Sequence, residues 1–134
     1  MTAVLFTCAG QRVDIVDAFN RAGATTVATD VSALAPALYR AHQHALVPEV
    51  EDDGYVPALR ALVEEHEVGA VVPLTDLDQV KLAEMRDELG ALVLLPEAEV
   101  VERLGDKYLA HLLFQERGID SPPRQACTID STGV

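Results

Sequence analysis

Five short runs of β-branched and aliphatic residues, each followed by a stretch of helical period, constrain this chain more than any other feature. Residues 4–7, 25–30, 45–48, 70–74 and 91–95 read as strands. Between them, Val13, Ile15, Val16, Phe19 and Ala22 mark one helical face that stops at Gly23. Pro36 opens a brief helical turn over 34–39. Tyr55, Leu59, Leu62 and Val63 form the next face. Val80, Ala83 and Leu89 follow, with Asp76 or Asp78 as the cap, and then Val100, Val101 and Leu104 after Pro96. Strands alternating with helices need long crossovers, and such crossovers leave neighbouring strands parallel. The predicted fold is therefore α/β: a doubly wound, mainly parallel five-stranded sheet with helices on both faces. The 91–95 run is apolar throughout and reads as a strand covered on both faces.

With 134 residues and 49% hydrophobic content, an ordinary single-domain core is within reach. A chain of this size buries roughly 70% of its unfolded surface. There is no Trp and there are only three Phe, so that core is aliphatic. The 22 acidic residues outweigh the 10 basic ones, giving a net charge of −12. Such a surface repels phosphate backbones and anionic lipids, which argues against nucleic acid or membranes as partners. The first residues lack a basic n-region and a full h-region, and no window approaches the ~18 apolar residues of a span. A cytoplasmic location is expected. Cys8 and Cys127 stand far apart and read as two reduced thiols.

In open parallel sheets, ligands bind beyond the carboxyl ends of the strands. Three polar groups fall there: the turn carrying Gly10 and Arg12, then Asp30 with Ser32, then Thr75, Asp76 and Asp78. Turn amides together with the Arg12 fork would hold a small carboxylate, giving Gly10, Arg12, Asp30, Thr75 and Asp76 as candidate substrate contacts. The competing structural reading makes Arg12 a solvated first-turn residue and Asp30, Asp76 and Asp78 caps. Asp30 stands 20 residues after Gly10, as a ribose-binding acid would. However, Arg12 and Ile15 occupy positions where the dinucleotide fingerprint needs glycine, which argues against a nucleotide-cofactor oxidoreductase. The four histidines lack well-spaced ligand partners, so no metal site is expected. Cys8 reads as a buried strand-end thiol, and no nucleophile-elbow pattern is present.

After residue 104 the pattern changes. Gly105-Asp106-Lys107-Tyr108 opens a helix through Leu109, Leu112 and Leu113 that stops at Gly118. An extended stretch over 119–123 and a strand-like run over 124–129 follow, and 130–134 reads as a chain cut mid-domain. The segments 4–13, 29–38, 72–78, 105–108 and 118–122, in this order, resemble the N-terminal part of ATP-grasp proteins similar to the carbamoyl-phosphate synthase large chain. The resemblance implies a Rossmann-like pre-ATP-grasp domain over 1–104, without dinucleotide use, and the start of the ATP-grasp domain over 105–134.

It further implies that Lys107 reaches ATP phosphates. A cation in a first helical turn opposes the helix dipole, and a phosphate would supply the reason for it. ATP and Mg²⁺ are implied as cofactors of the full-length protein, with none for this stretch alone. The implied reaction activates a small-molecule carboxylate as an acyl phosphate for attack by an amine or thiol. The phosphate lid, adenine pocket and metal ligands are expected after Val134, so no catalytic residue is assigned here, and the missing ATP-grasp domain is the expected partner. The competing reading is a self-sufficient flavodoxin-like binding module that pairs as a homodimer through an apolar patch.

Overall fold

The strands form one sheet in the order β3-β2-β1-β4-β5, with every neighbouring pair parallel. The computed structural model describes residues 2–122. The strands are β1 (Ala3–Thr7), β2 (Thr25–Asp30), β3 (Gln43–Leu46), β4 (Val68–Pro73) and β5 (Leu92–Val93). The helices are α1 (Val13–Arg21), α2 (Tyr55–Glu65), α3 (Gln79–Glu84), α4 (Ala98–Gly105) and α5 (Lys107–Glu116). Two 3-10 turns, Pro36–Tyr39 and Arg86–Glu88, complete the framework.

Alternate residues of β1 show why helices pack on both faces. Ala3 and Leu5 join Val27, Val71, Tyr55, Leu59, Val63 and Leu82 in one core beneath α2 and α3. Val4 and Phe6 join Ala28, Val16, Ala37 and Leu38 in the other, beneath α1 and the first 3-10 turn. Period-two alternation in a central strand thus serves two apolar layers at once. Phe19 of α1 meets Phe6 edge-on, with ring centroids 5.1 Å apart, which fixes the helix against the sheet. The predicted α/β doubly wound sheet is the fold observed.

Three local readings change. The third strand begins at Gln43 and ends at Leu46, two residues earlier than its apolar run suggests. As an edge strand it pairs with β2 through backbone alone, while Gln43, His44 and Leu46 face solvent, so side-chain pattern carries no register. The fifth strand is only Leu92–Val93 and is not covered on both faces. Val93 is buried in the α2–α3 core, whereas Leu92 and Leu94 are 65% and 49% exposed. The α1 layer packs on β1 and β2 and does not reach this edge. Finally, neither Asp76 nor Asp78 caps α3 through its side chain. Asp76 is exposed, and Asp78 turns inward.

At the far end, Asp106 Oδ1 accepts the N–H groups of Tyr108 and Leu109 and caps α5. Gly118 takes φ +66 just past the end of α5, the left-handed stop expected there. The leucine face expected to pack is partly open: Tyr108 and Leu109 are 37% and 41% exposed. The buried residue of α5 is instead His111, whose Nδ1 meets Ser121 Oγ at 3.0 Å. The strand-like run over 124–129, the segment 130–134 and Cys127 lie outside the described residues.

Candidate functional site

From β1 the chain winds outward through β2 and β3, and from β4 it winds the other way to β5, so the switch in strand order lies between β1 and β4. Loops leaving the carboxyl ends of these strands frame a crevice of about 420 Å³. Cys8 and Gly10 come from the β1 turn, and Asp30 and Val31 follow β2. Val47, Glu49, Val50 and Glu51 form the loop after β3, and Thr75 and Leu77 follow β4. Tyr55, at the start of α2, lines the crevice below that loop. This is the position at which open α/β sheets bind ligands.

The turn after β1 is tight. Cys8 and Gly10 both take φ +47, and for a residue with a Cβ that conformation costs about 1 kcal/mol. It is held by its neighbours: Ala9 N–H donates to Thr29 O at 3.0 Å, and Ala37 N–H to Gly10 O at 3.1 Å. Asp30 completes the tie. Its Oδ2 accepts Gly10 N–H at 2.8 Å and its Oδ1 accepts Ser32 N–H at 3.0 Å. The loop after β3 is held from the other side, where Lys81 Nζ donates to the Val50 carbonyl.

Beneath the crevice lies a buried polar chain. Tyr55 Oη donates to Asp78 Oδ2 at 2.6 Å, and Cys8 Sγ lies 3.7 Å from the same phenol oxygen. Asp78 is fully buried, and its Oδ1 has no partner among the described residues; neither has Thr7 Oγ1. Burial, reinforced by the Asp78 carboxylate, pushes the Cys8 thiol up to about 11. Cys8 is therefore a neutral thiol at pH 7, not a nucleophile. Burial first, and Asp78 second, also raise the Tyr55 phenol well above its ordinary value. Tyr55 thus keeps its proton, and that proton is committed to Asp78.

The structure brings Gly10, Asp30 and Thr75 together at the crevice wall. Arg12 and Asp76 are not among the lining residues. The Arg12 guanidinium instead meets Asp14 at 3.2 Å on the surface, and this contact holds the Asp14 carboxyl below its usual range. Sequence reading missed Tyr55 and Asp78 as parts of one unit. Tyr55 looked like the first residue of an amphipathic face, and Asp78 had the position of a helix cap. Glu49 and Glu51 were visible only as an acidic turn.

Lys107 is the first residue of α5, is exposed and has no ion-pair partner among the described residues. The Tyr108 and Leu109 amides beside it are taken by Asp106. Among the described residues, no group of three or more His, Cys, Asp or Glu could hold a metal ion. No described helix is long and apolar enough to cross a membrane.

Known structures share the fold. The biotin carboxylase domain of a single-chain bacterial carboxylase superposes with a TM-score of 0.66 at 23% identity, over 97% of this chain and 32% of its own. Glycinamide-RNase-transformylase T from Mycobacterium tuberculosis gives 0.68 at 20%, over 90% of this chain and 37% of its own. N5-Carboxyaminoimidazole synthetase from Staphylococcus aureus gives 0.70 at 15%, over 87% of this chain and 30% of its own. The chain thus spans about a third of the length of each of these proteins. No curated protein matches it in sequence. The family model described as PylC-like, N-terminal domain matches residues 4–94, from the second residue of β1 through the residue after β5. A doubly wound sheet with its crevice at the β1/β4 switch agrees with the resemblance to ATP-grasp N-terminal domains, and the chain belongs to the PylC-like N-terminal domain family.

Proposed function

We propose that this domain positions the small-molecule substrate of an ATP-grasp carboxylate–amine or carboxylate–thiol ligase, while the chemistry takes place on a following ATP-grasp domain that begins near Gly105. The observation that carries this reading is the crevice at the strand-order switch, bordered by Gly10, Asp30 and Thr75. Support also comes from the family match over 4–94 and from the neutral state of Cys8, which leaves the crevice without a nucleophile.

In this reading ATP and Mg²⁺ belong to the full-length protein. When bound there, they supply the phosphoryl group that activates a carboxylate. Lys107, at the start of α5, contributes a point charge toward the phosphates. The residues of the β1–β5 sheet bind and orient substrate. Asp30 holds the β1 turn in shape, and Tyr55 and Asp78 fix the base of the crevice.

Calorimetry tests this division of labour. Mg-ATP titrated into the 134-residue chain should give no saturable heat in the micromolar range. Tight, stoichiometric binding would place a complete nucleotide site within the chain and overturn the proposal.

A further inference from the structure

The crevice is built with the wrong sign for a carboxylate. The turn amide best placed to meet an anion, Gly10 N–H, already donates to Asp30 Oδ2 at 2.8 Å. Asp30 brings its negative charge into the crevice wall with it. Glu49 and Glu51 add two more carboxylates, and no Lys, Arg or His is among the lining residues. The nearby cations are committed elsewhere, Arg12 to Asp14 and Lys81 to the Val50 carbonyl.

A second observation comes from below. Asp78 is fully buried, one of its oxygens has no partner, and no cation pairs with it among the described residues. A buried carboxylate without a counter-charge is costly. Tyr55 gives its only side-chain proton to Asp78, so its oxygen is left to accept and not to donate. Carboxylates around and beneath one cavity focus a field that repels anions and draws cations. Val31, Val47, Val50 and Leu77 supply an aliphatic wall beside Cys8, Gly10, Tyr55 and Thr75.

We propose that the crevice takes an alkyl-ammonium ligand, its protonated amine facing Asp30, Glu49 and Glu51 and its aliphatic body against Val47, Val50 and Leu77. The inference rests on the reading of the crevice as the substrate site, and it makes the amine-bearing end, not the carboxylate to be activated, the part held here.

Amide NMR of the chain, titrated separately with hexylammonium and hexanoate, tests it. Hexylammonium should give saturable shifts at Gly10, Glu51 and Tyr55 that weaken as salt rises, and hexanoate should give none. The double change Glu49→Gln, Glu51→Gln touches only exposed loop side chains and should weaken hexylammonium binding by about fivefold while leaving the spectrum folded. If hexanoate binds as tightly as hexylammonium, the charge preference is overturned and the crevice survives as a substrate site. If neither ligand gives a saturable shift, both the inference and the substrate-site reading fall.

Discussion

The phenol of Tyr55 and the carboxylate of Asp78 share a 2.6 Å hydrogen bond that joins the start of α2 to the residue preceding α3, under the crevice. Asp78 Oδ1 already lacks a partner, so Tyr55→Phe leaves the whole carboxylate unsatisfied. A lost bond to a buried charged group costs about 2 kcal/mol. Urea denaturation of Tyr55→Phe should show a loss of that order with an unchanged m-value. A loss below about 0.5 kcal/mol would mean that water or another group replaces the phenol.

Cys8 should alkylate slowly near neutral pH, with a rate that rises toward pH 11, because burial and Asp78 raise its thiol from 9.0 to about 11. Mass spectrometry of the iodoacetamide-treated chain separates Cys8 from Cys127. The linkage has a definite sign. The folded thiol holds its proton more tightly than the unfolded one, so its contribution to stability is complete below pH 9 and is lost as pH rises from about 9 to 11. Cys8→Ser should flatten that part of the stability curve.

Asp30 and Arg12 should separate cleanly, although both are candidate site residues. Asp30→Ala removes the acceptor of two backbone N–H groups, Gly10 and Ser32, and should cost about 2 kcal/mol by denaturation. Arg12→Ala breaks a surface pair with Asp14 and should change stability by no more than about 0.5 kcal/mol. An equal loss for both would show that Arg12 supports the turn in a way the Asp14 contact does not explain.

Asp106→Ala should destabilise the chain by about 1 kcal/mol, since it uncaps α5 at Tyr108 and Leu109. Lys107→Ala, one residue on, should leave stability unchanged because the side chain is exposed. Helicity by circular dichroism and thermal midpoints would check the pair.

The central strands were legible because β1 and β2 are buried on both faces: β1 is a near-continuous apolar run, β2 is rich in β-branched residues, and Gly10 and Gly23 mark the turns beside them. The edges were not. β3 shows its side chains to solvent, and β5 has one open face, so neither pattern fixes register or length. Within the crevice, Gly10, Asp30 and Thr75 followed from strand-end position alone. Arg12 lies outside the crevice lining, with its guanidinium paired to Asp14 two residues away. Asp78 was hidden for a different reason. A carboxylate before a short helix has the sequence position of a cap, and only the tertiary placement of Tyr55, 23 residues away, reveals the alternative bond.

The most direct test of the proposed division between a substrate-holding sheet and a nucleotide-holding neighbour is steady-state kinetics of the full-length protein, followed as ADP release, for Thr75→Ala and Lys107→Ala side by side. Thr75→Ala, at the crevice wall, should raise KM for the small-molecule substrate by about tenfold and leave KM for ATP unchanged. Lys107→Ala, at the start of α5, should do the reverse. Substrate KM untouched by Thr75→Ala, or ATP KM untouched by Lys107→Ala, would contradict the account.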